Sequence, residues 1–97
     1  MILAIDIGNT GIAIGFYKDY SICHHCKISS APHKSTDEYA MLLSTICTQK
    51  RIDTAEVEGC VISSVVPPLT ELLRQAIENE FSCTPLIITH AFHLLLE

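Results

Sequence analysis

The sequence predicts an α/β fold in which a mixed sheet, flanked by helices, is built in the order βββαβαβ. Two observations carry this. Residues 2–28 hold three short apolar or β-branched runs separated by tight-turn residues, the pattern of an antiparallel meander. Beyond residue 35, two stretches with apolar residues at helical spacing alternate with short β-branched runs, so later strands must enter the sheet by helical crossovers. With 97 residues the chain makes one domain or part of one.

Residues 2–5, Ile-Leu-Ala-Ile, are an unbroken apolar run and read as a buried strand. Asp6, Ile7, Gly8, Asn9, Thr10 and Gly11 then form a hairpin tip, and residues 12–17 return as a second strand. Lys18 and Asp19 supply the next turn, and residues 20–28 read as a third strand. Residues 29–34, with Pro32, are a polar loop. Ser35 and Glu38 have the spacing of a capping box, in which the serine accepts from the third helical amide and the glutamate reaches back. The helix so opened places Tyr39, Leu42, Leu43, Ile46 and Cys47 on one face. Residues 49–58 are a charged connector with one turn of helix. Cys60, Val61 and Ile62 are too short and too β-branched a run for a helix and read as a buried fourth strand. Pro67 and Pro68 end it, and Pro68 suits the first turn of a helix whose buried face is Leu69, Leu72, Leu73, Ala76 and Ile77, running to about Phe81. Leu86, Ile87 and Ile88 are a fifth strand.

Composition excludes several classes. A hydrophobic fraction of 48% against 18% charged residues describes a folded, soluble chain. The net charge is −5, and the six basic residues are scattered apart from Lys50 and Arg51, so there is no basic stripe for nucleic acid. No apolar run is long enough to span a bilayer, and Asp6 interrupts the hydrophobic start, so no membrane partner and a cytoplasmic location are expected. Five cysteines, an odd count set in apolar segments, fit reduced and largely buried thiols better than a disulfide framework.

The hairpin tip is where chemistry is expected. An acid at a strand end followed by a turn of small donors can meet a metal ion and phosphate oxygens together. Gly8 and Gly11 allow close backbone approach and positive φ, and the amides of the turn can point at an anion as a nest does. Asp6 offers the hard oxygens that Mg²⁺ prefers. On the residues alone a second reading stands beside this one: Asn-Thr-Gly is also an ordinary tight turn, with the acid capping its amides.

Asp6-Ile-Gly-Asn-Thr10 resembles the first phosphate motif of type III pantothenate kinases, members of the superfamily of acetate kinase, sugar kinases, heat-shock ATPases and actin. Ser63-Ser64-Val65-Val66-Pro67 is similar to that family's Ser-Ser-Val-Val-Pro segment, and Thr36-Asp37-Glu38-Tyr39 also fits. The resemblance implies a ribonuclease H-like lobe, with Asp6, Ile7, Gly8, Asn9, Thr10, Gly11, Ile12 and Ala13 lining an ATP site and Asp6 organising Mg²⁺. It implies pantothenate as acceptor, a monovalent cation (K⁺ or NH₄⁺) and a homodimer in the full-length family. There is no Gly-Lys-Ser/Thr sequence, so the site is not a P-loop. Ser63 and Ser64, at the carboxyl edge of the fourth strand, have two readings: hydroxyls near phosphate or substrate, or, for Ser64 with Pro67, shaping the turn and capping the next helix.

The resemblance stops short in one respect. The family's general-base aspartate, its second phosphate motif and its cation site lie beyond Glu97, so no catalytic residue is assigned. The expectation is a single nucleotide-binding lobe, residues 1–97, truncated before a second lobe and inactive alone, with Leu94, Leu95 and Leu96 as apolar surface for what is missing. One alternative is a non-catalytic, kinase-like regulatory or accessory protein. Another is a zinc module on Cys23 and Cys26 with His90 and His93, which strand alternation disfavours because the two cysteines point to opposite faces.

Overall fold

The computed structural model describes residues 1–89; the readings placed on His90, His93 and Leu94 to Leu96 lie outside the described residues. Five strands and two α-helices follow in the expected order: β1 (Ile2–Ile7), β2 (Gly11–Lys18), β3 (Ser21–Ser29), α1 (Thr36–Gln49), β4 (Gly59–Ser64), α2 (Pro67–Phe81) and β5 (Leu86–Thr89), with one 3₁₀ turn at Thr54–Glu56. The sheet order is β3-β2-β1-β4-β5. β1 pairs antiparallel with β2, β2 with β3, and β1 pairs parallel with β4, which pairs parallel with β5. The apolar start of the chain is thus the centre of the sheet, and the helical connections place β4 and β5 on its far side.

Register divides the sheet into two unlike faces. Leu3, Ile5 and Ile7 lie opposite Phe16, Ile14 and Ile12 on β2, and opposite Cys60, Ile62 and Ser64 on β4. This face joins Tyr39, Leu43, Ile46 and Cys47 of α1 and Leu69, Leu73, Ala76 and Ile77 of α2 in one core, and the two helices pack on each other. The opposite face carries Ala4, Asp6, Ala13, Gly15, Val61 and Ser63, small or polar residues on the three inner strands.

The helix ends follow local rules. Ser35 Oγ accepts from the Glu38 amide at 3.1 Å while the Glu38 carboxylate accepts from the Ser35 amide at 3.0 Å, so the capping box is complete. α1 ends in a Schellman motif: the Arg51 amide donates to the Thr48 carbonyl and the Ile52 amide to Cys47, with Arg51 left-handed at φ 57°. α2 opens on two prolines and has no side-chain cap at Val66. Ser64 therefore does not cap it, contrary to the second reading of that residue; its Oγ accepts from the Val66 amide at 3.0 Å and shapes the bend.

Strand boundaries differ from expectation at several ends: β2, β3 and β5 shift by one residue, with left-handed Tyr20 in the turn rather than in β3, and β1 and β4 differ most. β1 continues through Asp6 and Ile7, and β4 through Ser63 and Ser64, because the two strands go on exchanging ladder bonds past their apolar runs. The cysteines are all free, but only Cys47 and Cys60 are buried, since β3 is an edge strand and leaves Cys23 exposed.

On α2, Arg74 bonds Glu71 on one side and Glu78 at 2.8 Å on the other, and Gln75 donates to Glu71 at 3.0 Å. Hydrogen bonds from Arg74 and then Gln75 hold the Glu71 carboxyl at about 2, below its usual 4.5. The unfolded chain then binds the proton more readily than the folded one, so this stabilisation is complete above pH 4.5 and is lost as the pH falls toward 2. Glu71→Gln is expected to flatten the acid limb of the stability curve in that window, measured by urea unfolding at a series of pH values.

Candidate functional site

Asp6 enters the site as a strand residue. In the parallel pair it lies opposite Ser63, while its neighbour Ile7 lies opposite Ser64. Strand alternation then puts Asp6 and Ser63 on the face opposite α1 and α2, and Ser64 on the face those helices cover. The two sequence motifs are thereby brought side by side at the carboxyl end of parallel strands, although 57 positions separate Asp6 from Ser63. Asp6 is 7% exposed and Ser63 2%, and neither is without a partner.

The turn beyond Asp6 is shorter than the six-residue tip expected. The Gly8 amide donates to the Gly11 carbonyl at 2.9 Å, which leaves Asn9 and Thr10 as the exposed tip. No glycine in the described residues has positive φ, and neither do Asn9 and Thr10, so the expected left-handed role of Gly8 and Gly11 is not what the turn uses. The primed hairpin turns that need such residues are excluded with it. Space is the other function a glycine can supply. A Cβ at Gly8 would stand 3.4 Å from the Gly11 carbonyl oxygen, and one at Gly11 would meet only the movable end of Lys27 at 2.9 Å and the Ile28 carbonyl at 3.5 Å. The fold itself thus makes modest demands on glycine at either position.

Ser30 locks the turn from the side, and nothing in the sequence marked it out. Its Oγ donates to the Gly8 carbonyl at 2.6 Å and its amide to the Thr10 carbonyl at 3.3 Å. With the Gly11 carbonyl taken by Gly8, three carbonyls of the turn are occupied, whereas the Asn9 and Thr10 amides make no backbone hydrogen bond among the described residues. The tip thus leaves two amide donors without a backbone partner among the described residues while most of its carbonyls are bonded. Ser30→Ala removes the donor to Gly8 and is expected to cost about 1–2 kcal/mol in urea unfolding, the usual penalty for an acceptor left without its partner.

The other proposed lining residues divide by alternation. Ile7 is 1% and Ile12 0% exposed, with side chains in the core, so only their backbone borders the site. Ala13 lies opposite Asp6 on the face away from α1 and α2. The start of α2 adds no anion donors: Pro67 and Pro68 have no N–H, and the Leu69 and Thr70 amides both donate to the Val66 carbonyl. Among the described residues, the hairpin rather than α2 offers amide donors at this edge.

The Asp6 carboxylate offers oxygens of the kind Mg²⁺ takes, and the Asn9 and Thr10 amides are donors of the kind phosphate oxygens accept from. Among the described residues no three His, Cys, Asp or Glu side chains gather as a metal cluster. In β3, Cys26 lies opposite Ile14 on the core side, and Cys23 falls at the irregularity where the register shifts between Phe16 and Tyr17. Burial pushes the Cys26 thiol above its ordinary range, against thiolate ligation.

A five-stranded sheet in the order 3-2-1-4-5, antiparallel on one side of β1 and parallel on the other, is a ribonuclease H-like lobe. Within that class the chain belongs to the type III pantothenate kinase family, whose model matches residues 2–97. It is 40% identical over 88 residues to the type III pantothenate kinases of an Exiguobacterium species and of Halalkalibacterium halodurans, covering 91% of this chain and 35% of each relative. Identity to the Roseiflexus enzyme of that description is 42%, over 91% of the chain and 34% of the relative. The chain thus spans about a third of the length of the curated relatives it matches. Among solved structures, the Aquifex aeolicus PPX-GPPA enzyme overlaps 91% of this chain and 35% of its own, with a TM-score of 0.45 and 16% identity.

Proposed function

We propose that these 97 residues supply the Mg-ATP end of an ATP-dependent phosphorylation of pantothenate. The observation that carries the reading is the register of β1 with β4, which sets Asp6 beside Ser63 and just before a turn whose Asn9 and Thr10 amides make no backbone hydrogen bond among the described residues. Phosphoryl transfer depends on holding the phosphates in line and neutralising their charge. Asp6 would hold Mg²⁺, and the Asn9 and Thr10 amides would donate to phosphate oxygens. A Mg²⁺ ion held there would supply positive charge to neutralise that developing on the phosphoryl oxygens. Gly8 and Gly11 leave the two flanks of the turn without side chains, so that the phosphates can approach the backbone there. Ser63 orients the Asp6 side of the site, and Ser64 acts through the bend alone.

Calorimetric titration with ATP, with and without Mg²⁺, together with amide chemical shifts, tests this reading. Heat that requires Mg²⁺, with shifts concentrated at Asn9, Thr10 and Gly11, is the expected result. A folded chain whose turn resonances do not respond to Mg-ATP would overturn it.

A further inference from the structure

At the other end of β4 from the candidate site, the Cys60 and Cys83 sulfurs stand 2.7 Å apart. Cys60 is near the start of β4, opposite Leu3 on the helix face, and is 7% exposed. Cys83 comes just after α2, where left-handed Ser82 turns the chain, and it packs half-buried against the same core. A bonded pair of sulfurs is about 2.05 Å apart, so closing this contact requires an approach of about 0.7 Å. Two elements fix the pair: the β1–β4 ladder holds one thiol and the end of α2 the other. Cysteines meeting in this way across 23 positions are placed by the fold.

We propose that Cys60 and Cys83 are an oxidation site that closes to an intramolecular disulfide by exchange with a small-molecule disulfide such as oxidised glutathione. Cys83 is the more accessible thiol and attacks first. Its thiolate displaces one half of the reagent as a thiolate and forms a mixed disulfide. Cys60 then attacks the Cys83 sulfur and expels the second half. Two protein thiols are oxidised to one disulfide, one reagent disulfide is reduced to two thiols, and the two protein protons pass to the leaving thiolates. Burial and the neighbouring Cys83 push the Cys60 thiol well above its ordinary range, so the second step is the slow one and its rate rises with pH. The bond would fasten the end of α2 to the start of β4, leaving Asp6 and Ser63 untouched at the opposite end of the strands.

The reduced native chain is treated with oxidised glutathione, alkylated and digested with trypsin. Cleavage after Arg51 and Arg74 places Cys60 in the peptide spanning 52–74 and Cys83 in that spanning 75–97, so the bond joins two otherwise separate peptides. The expected product is this linked pair, released by dithiothreitol and missing from the Cys83→Ser variant, with an unfolding midpoint above that of the reduced chain. Separate peptides, with Cys83 either alkylated or carrying glutathione, overturn the proposal. So does a linked pair that forms only when the chain is unfolded in urea.

Discussion

Asp6→Asn is expected to weaken Mg-ATP binding at least about tenfold, a change of about 1.4 kcal/mol, while the fold survives. The substitution keeps volume and shape at a position that is 7% exposed, and an amide oxygen can still accept a hydrogen bond. It removes the negative charge that, in the proposed site, would draw a divalent cation to the edge of the sheet. Mg²⁺ surrenders its water reluctantly and depends on charged oxygens, so a neutral oxygen at this position is a poor substitute. The deficit should therefore be confined to metal-dependent binding: the parent chain in EDTA should resemble the variant in Mg²⁺, and adding EDTA to the variant should change little. Titration calorimetry measures the affinities, and far-ultraviolet circular dichroism checks the fold. An unchanged, still Mg²⁺-dependent affinity would remove Asp6 from the metal site. Gly8→Ala makes a useful companion, since the fold makes a modest demand on that position and a ligand at the turn would make a larger one.

Signals confined to one stretch of chain were legible without coordinates. The capping box at Ser35 and Glu38, the proline opening of α2 and the helical spacing of Leu69, Leu73, Ala76 and Ile77 all belong to single elements, and each appears in the structure. The motif at Asp6 could be read, but its neighbour could not: only the parallel register shows that Ser63 rather than Ser64 shares its face. Ser30 was hidden for the same reason. A serine in a polar loop looks like any other until the fold carries it 22 positions back to the Gly8 carbonyl. Glycine misled where its usual role was assumed, because the turn runs without positive φ while Arg51 and Ser82, both poor choices for the left-handed region, adopt it at helix ends. There the helix-terminal hydrogen bonds outweigh the local preference.

Ile5→Ala is expected to be the most damaging single change to the fold, costing about 2–5 kcal/mol. Ile5 is 0% exposed at the middle of the central strand, directly between Ile14 of β2 and Ile62 of β4, which are 1% and 0% exposed. Ladders hold the backbone on both sides and two helices lie over the face, so the sheet cannot collapse to refill the space. The loss should include a cavity term as well as the lost burial. Domains of this size have only about 5–15 kcal/mol to lose, so the variant should show a large fall in its urea midpoint and partial unfolding near 37 °C. Leu86→Ala provides the contrast: it is as apolar a side chain, but it is 67% exposed on an edge strand, and its cost should stay below about 1 kcal/mol. Comparable losses at the two positions would contradict the assignment of the helix-covered face as the core. The pair also separates stability from binding, because Ile5 is adjacent to Asp6 in sequence but points to the other face. Nucleotide affinity lost in Ile5→Ala should return at low temperature, where the chain refolds, whereas the loss in Asp6→Asn should persist at every temperature at which the chain is folded.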